Sequence, residues 1–181
     1  MRSVQVLFCL SCLLVPFGAW AADDVDVSPF FGTFKTMCAD TRADPDAVVK
    51  AVSGAGGLAS APVKVDNTIA KEWRISIGGR VMLVSSSAGK SPAGAHRERQ
   101  IIDCEITSLN DERANLADFA KWAGVGSEPD TSSATSYAFQ EREGAHLANT
   151  GNDSDEHWVL AIHPGERVTT VQLMHVMAVA P

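Results

Sequence analysis

From Ser28 onward the apolar positions first recur with a helical period. Ser28-Pro29 reads as an N-cap followed by proline at the first helical position. Phe30, Phe34, Met37 and Cys38 then fall on one face of a short helix. Asp44-Pro45 repeats the start signal, and Val48, Ala51, Val52 and Ala55 supply a second stripe that Gly56-Gly57 ends. The period then changes to two. Trp73, Ile75 and Ile77 alternate with Arg74 and Ser76, Gly78-Gly79 predicts a two-residue hairpin turn, and Arg80 to Ser85 returns. Ser86 to Ala95, made of small and turn-forming residues, predicts a loop. Arg99 to Thr107 predicts another strand with Ile102, Cys104 and Ile106 on one face, which aims the Cys104 sulfur at the apolar side of the first helix.

The second half repeats the theme. Asn110 predicts an N-cap, with Asp111 and Glu112 in the first turn of a helix whose inner face is Leu116, Phe119, Ala120 and Ala123 and whose stop is Gly124. A polar loop spans Gly126 to Ser133. Tyr137 and Phe139 mark a strand, and Trp158, Leu160 and Ile162 mark another. His163-Pro164-Gly165-Glu166 predicts a turn, and Val168 to Val179 a long closing strand. A helical element followed by about three strands thus occurs twice, and the hairpin turns imply antiparallel pairing. The predicted class is α+β, an antiparallel sheet with helices on one face, in a single domain over residues 22–181.

The segment ahead of this pattern speaks to compartment. Met1-Arg2-Ser3 is a short basic start, Val4 to Phe17 is apolar, and Ala19-Trp20-Ala21 is a small-x-small cleavage site. This is the layout of a secretory signal peptide, and the apolar run falls short of the about 20 residues of a membrane-spanning helix. Residues 1–21 are therefore expected to be removed, leaving Ala22 first and a soluble protein with no membrane span. Cys9 and Cys12 would leave with them. Cys38 and Cys104 remain, an even pair in an oxidising compartment, so a disulfide between them is the expectation. The net charge of −7 becomes more negative without Arg2. An acidic balance with no basic patch argues against nucleic acid and anionic lipid as partners.

Phe34-x-x-x-Cys38-x-x-Thr41, followed by Asp44-Pro45-x-Ala47-Val48, resembles the opening of a loose group of small secreted proteins of Gram-negative bacteria. Where that group often has a tryptophan near the end of the second helix, this chain has Gly57-Leu58. The resemblance implies a periplasmic location and a cysteine pair in oxidised form. It implies no activity, since none is established for the group.

Several catalytic patterns nearly occur. Ser87-Ala88-Gly89-Lys90 fits S-x-x-K and Ser108-Leu109-Asn110 fits S-x-N, but penicillin-recognising enzymes need the first at a helix start and a K-T-G besides. Gly89-Lys90-Ser91 echoes the end of a phosphate loop without its first glycine. Asn152 to Glu156 lacks the glycine and the bidentate glutamate of a calcium loop. Histidine is the remaining chemistry. If His163 pairs near Arg167, His157 falls opposite Leu173 and His175 opposite Asp155, which brings both rings to one face within about 8 Å at Cβ. With Asp153, Asp155 and Glu156 in the adjacent loop, this makes a two-histidine-plus-carboxylate site for zinc or a similar ion conceivable.

Two readings follow. The first is a non-enzymatic periplasmic or secreted module without cofactor. It would bind another periplasmic or envelope protein, as inhibitors, immunity proteins and envelope accessory factors do. Trp73, Tyr137 or Trp158 would serve as anchors on an open sheet face, or a partner strand would add to an edge. The second is a small hydrolase or metal-dependent enzyme working at His157, His175 and the Asp153–Glu156 loop. An enzyme needs a pocket where these groups converge, whereas a docking module needs an exposed apolar patch.

Overall fold

The computed structural model describes residues 28–60, 62–65, 68–91, 98–126, 129–142, 145–148 and 156–179. The expected signal peptide, and Asp153 and Asp155, lie outside the described residues.

Helix α1 (Pro29–Phe34) begins where the Ser28 hydroxyl accepts the Phe31 amide at 3.1 Å. It runs directly into a π-helical turn, Lys35–Ala39. The single helix expected through Cys38 is therefore widened by one π-bulge, a feature that recurs at functional sites. Helix α2 (Pro45–Gly54) is capped by Asp44, whose carboxylate accepts the Asp46 and Ala47 amides at 3.1 and 2.9 Å. Helix α3 spans Leu116–Trp122.

Among the described residues nine strands form one antiparallel sheet: β1 (Leu58–Ala59), β2 (Val63–Val65), β3 (Thr68–Ile77), β4 (Arg80–Lys90), β5 (Arg99–Ser108), β6 (Thr135–Arg142), β7 (Ala145–Ala148), β8 (Glu156–His163) and β9 (Thr169–Ala178). Their order is β1-β3-β4-β5-β9-β8-β6-β7, with β2 also on β3. Each half approaches the centre in the same sequence, β3-β4-β5 from one side and β6-β8-β9 from the other, so the last strand of each half meets its counterpart. Gly78 and Gly79, at φ +58° and +77°, make the tight turn between β3 and β4 that a side chain would strain.

Trp73, Ile75, Met82, Val84, Cys104, Ile106, Leu160, Ile162, Val171 and Leu173 project from one face of the sheet into a core shared with Phe30, Phe34, Val48, Val52, Leu116 and Phe119. Phe119 is its hub: its ring centroid lies 5.3, 5.0 and 5.1 Å from those of Phe30, Phe31 and Phe34. Cys38 and Cys104 are disulfide-bonded with Cα atoms 5.4 Å apart, and both are fully buried. The bond fastens the π-helical turn to β5, as the inward face of Cys104 implied.

Three expectations are corrected. Residues 86–90 are strand: Ser86 faces inward, its hydroxyl donates to the Asp103 carbonyl at 3.1 Å, and pairing with β5 continues to Lys90. Small residues are accommodated in this strand because β5 lies alongside. The third helix starts five residues later than Asn110, with Asn115 in the N-cap position after a 3₁₀ turn at Arg113–Asn115. Glu112 turns inward instead of facing the helix dipole. It is fully buried, pairs with Arg80 at 2.6 Å, and accepts from Ser108 Oγ at 2.9 Å and Asn115 Nδ2 at 2.8 Å. Finally, His163 pairs with Thr170 rather than near Arg167. This register sets Leu160 opposite Leu173 and Ile162 opposite Val171. The shorter turn would have brought Thr170 and Gln172 into the core, and burial of the apolar set decides the register.

Candidate functional site

The corrected register separates the two histidines. His157 lies opposite Val176 and His175 opposite Trp158, so consecutive positions of β8 put them on different faces of the sheet. His175 is nearly buried on the helix-covered face, stacked on Trp158 at 4.1 Å, and its Nε2 donates to Glu156 at 2.7 Å. His157 is on the other face, and its Nδ1 is buried without a hydrogen-bond partner among the described residues. No group of three His, Cys, Asp or Glu side chains among the described residues is placed to hold a metal. Ser87 and Lys90, three apart on β4, also point to opposite faces. Lys90 pairs with Glu98 at 2.6 Å. Ser108 and Asn110 are tied to the buried Glu112 cluster.

The three aromatic residues considered as anchors, each of which also reads as a core residue, are on the covered face. Trp73 and Trp158 are buried, and Tyr137 packs partly buried against the core. On the open face, half-buried Leu83, Val159, Met174 and Val176 alternate with Asp103, Glu105 and Gln172. The most exposed large apolar residues, Leu58, Leu147, Leu109 and Val168, lie at the two sheet edges and at one strand end.

Two carboxyls on that open face are held above their ordinary range. Burial pushes Glu105 up, the Thr107 hydrogen bond opposes this, and the neighbouring Asp103 charge adds to it. Burial likewise raises Asp103 against hydrogen bonds from Ser87 and Gln172. A carboxyl raised by folding favours the folded state while protonated, below about pH 4, and that contribution is lost as pH rises through its folded value. Glu105→Gln is therefore expected to raise the melting temperature at pH 7, by a margin that shrinks as pH falls toward 4. Thermal melts of both proteins across that range check this, and a margin that grows on acidification would contradict it.

Where several unusual features converge is the covered face, at the β6–β9 end. A recess of about 180 Å³ is walled by Trp122, Phe139, Trp158 and His146 above Leu173, with Ala39, Asp40, Arg42 and Glu141 around it. Such a volume is below the about 300 Å³ at which drug-sized pockets begin, so it suits one small group. Gly124 helps to shape this wall. At φ +73° it ends α3, and a Cβ there would stand 2.2 Å from the His146 carbonyl oxygen, so β7 passes directly against the helix end. The consequence is that His146 Nδ1 reaches the Trp122 carbonyl at 2.7 Å. A carbonyl only accepts, so Nδ1 carries the proton, and in the neutral ring Nε2 is the acceptor. The His146 ring meets Trp122 at 4.4 Å and Phe139 at 4.9 Å.

The opposite side of the recess comes from the turn after the π-helical segment. Arg42 and Ala43 adopt φ +55° and +52°, left-handed values that cost a non-glycine residue roughly 1–2 kcal/mol each. They are held by the Ala43 amide donating to Cys38 O at 2.8 Å and by the Asp44 amide donating to Thr41 O at 3.1 Å. This geometry lays the Arg42 guanidinium over Trp158, 5.3 Å from the ring centroid, and against Glu141 at 2.5 Å. With Arg42 56% exposed, the ion pair contributes at most about 1 kcal/mol, and an exposed cation–π contact roughly 0.5–1 kcal/mol. These gains do not exceed the backbone cost. The turn also rests on Ala43, fully buried in the core, and on Asp44, which caps α2, and left-handed backbone of this kind gathers at functional sites.

No sequence signal announced the recess. Trp122 and Phe139 sit among core-patterned positions, and neither Gly nor Asn marks the left-handed turn. No family model matches the sequence, and no curated protein or solved structure is significantly similar to it.

Proposed function

We propose that the protein is a non-catalytic binding module, exported to the periplasm or beyond, that recognises its ligand or protein partner through the recess between the Ala39–Ala43 turn and strands β6–β9. The left-handed Arg42-Ala43 turn carries this reading, because it holds a charged side chain over an aromatic wall at the edge of the recess. The separations of Ser87 from Lys90 and of His157 from His175 across the sheet weigh against the hydrolytic alternative. The signal-peptide layout of residues 1–21 supports export, and protein recovered from the periplasmic fraction should begin at Ala22 by mass spectrometry.

The reading is tested by titrating the ¹⁵N-labelled, oxidised protein with small organic cations, carboxylates, sugars and tripeptides. The expected result is that at least one class shifts the amides of residues 39–43, 139–141 and 158. Shifts confined to the open face around Leu83 and Met174, or none with any class, would contradict it.

A further inference from the structure

The chemistry of the recess says more than its location, on the reading that it is the binding site. At its mouth a guanidinium belonging to the chain itself already holds the aromatic face and the carboxylate. Arg42 lies over Trp158 and pairs with Glu141, while Asp40 nearby is engaged by Lys35 at 2.7 Å. Both pairs are solvent-accessible, so each is held only weakly. If Arg42 swings out, it leaves an aromatic face and an unpaired carboxylate behind. A neutral ligand would satisfy the face and leave Glu141 alone; an anion would be repelled by Glu141. Only a cation replaces both interactions.

We propose that the recess is a site for a small organic cation, a quaternary ammonium or a guanidinium, and that Arg42 is its built-in competitor. The cation is either a free molecule or the head of a basic side chain on a partner. Aromatic walls beside carboxylates are the recognised means of holding such groups, and about 180 Å³ suits a group of that size. The net charge of −7 favours approach of a cation over an anion.

A resident competitor makes a quantitative demand. The wild-type affinity is scaled down to the fraction of molecules in which Arg42 has left the Trp158 face and Glu141, and deleting the competitor restores it. The probes are tetramethylammonium, choline, the neutral choline isostere 3,3-dimethylbutan-1-ol, acetate, and the peptide Gly-Arg-Gly with Gly-Gly-Gly as control, by calorimetry at constant ionic strength. Arg42→Gly is expected to melt no lower than wild type, because glycine takes φ +55° without strain. Arg42→Asn, which also tolerates that region, is the second variant should glycine disturb folding. The expected result is that either variant binds the cations at least tenfold tighter than wild type does, and that adding Glu141→Gln reverses the gain. Choline binding more tightly than Gly-Arg-Gly identifies a free cation as the ligand, and the reverse order a basic partner. Equal binding of the neutral isostere, or no tightening in either variant, would overturn the proposal. Acetate bound by wild type and lost with Arg42 would also overturn it, leaving the recess a binding site of opposite sign. If no probe of any class binds wild type or a folded variant, the binding-module reading falls with it.

Discussion

Replacing Cys38 and Cys104 together with alanine is expected to destabilise the protein by about 4 kcal/mol and to lower its melting temperature by about 10 °C. The bond closes a loop across a sequence separation of 66 residues. Its removal therefore restores conformational freedom to a long stretch of the unfolded chain. Two native-state effects add to this. Both cysteines are fully buried, so alanine leaves small voids, and the π-helical turn loses its fastening to β5. Because that turn continues into Asp40 and Arg42, reduction should also weaken whatever the recess binds. Thermal unfolding of wild type with and without reductant, beside the double variant, checks the prediction. Superimposable melts would contradict it.

The second large effect comes from Glu112. Its carboxylate is fully buried and meets Arg80, Ser108 and Asn115 at 2.6, 2.9 and 2.8 Å. It thereby joins the β3–β4 hairpin to the end of β5 and to the turn that leads into α3. Removing one member of a buried pair costs about 3–5 kcal/mol when the other charge is trapped. Arg80 is 38% exposed and can turn its charge to water, which places Glu112→Ala at the lower end, about 3 kcal/mol. Glu112→Gln keeps an acceptor for Ser108 and should cost less. Chemical denaturation of the three proteins reads both differences. A loss under about 1 kcal/mol for Glu112→Ala would show that the cluster does not hold the β3–β4 hairpin to the end of β5 and the turn before α3.

Alternation and turn chemistry made most of the architecture legible. The Gly78-Gly79 hairpin, the inward face of Cys104, the stripe of α3 and the antiparallel α+β class all follow from positions whose side-chain period is unambiguous. The misread parts are those where two physical effects compete. Ser86 to Lys90 looks like a loop by residue type, yet ladder hydrogen bonds with β5 extend the strand. Glu112 looks like a helix-dipole residue, yet Arg80, distant in sequence, draws it inward. Pro164-Gly165 looks like the tip of a short turn, yet burying Leu160 and Ile162 opposite Leu173 and Val171 requires a longer one. That shift of register also moved the histidines to opposite faces.

The recess was not legible at all, for a related reason. It depends on the close approach of β7 to Gly124 and on left-handed backbone at Arg42 and Ala43, and neither leaves a periodic trace. Only the tertiary arrangement reveals that Trp122, Phe139 and Trp158 stand around one small space with a guanidinium at its mouth.

The most direct measurement follows the Arg42 side chain itself. In protein labelled with ¹⁵N-arginine, the Arg42 Nε–H resonance is compared before and after addition of tetramethylammonium, alongside the indole N–H signals of Trp158 and Trp73. The account predicts that Arg42 moves toward the position of a free, solvated guanidinium in step with a shift of Trp158, while Trp73 stays in place. An Arg42 signal that does not respond to a saturating concentration of the cation would contradict it.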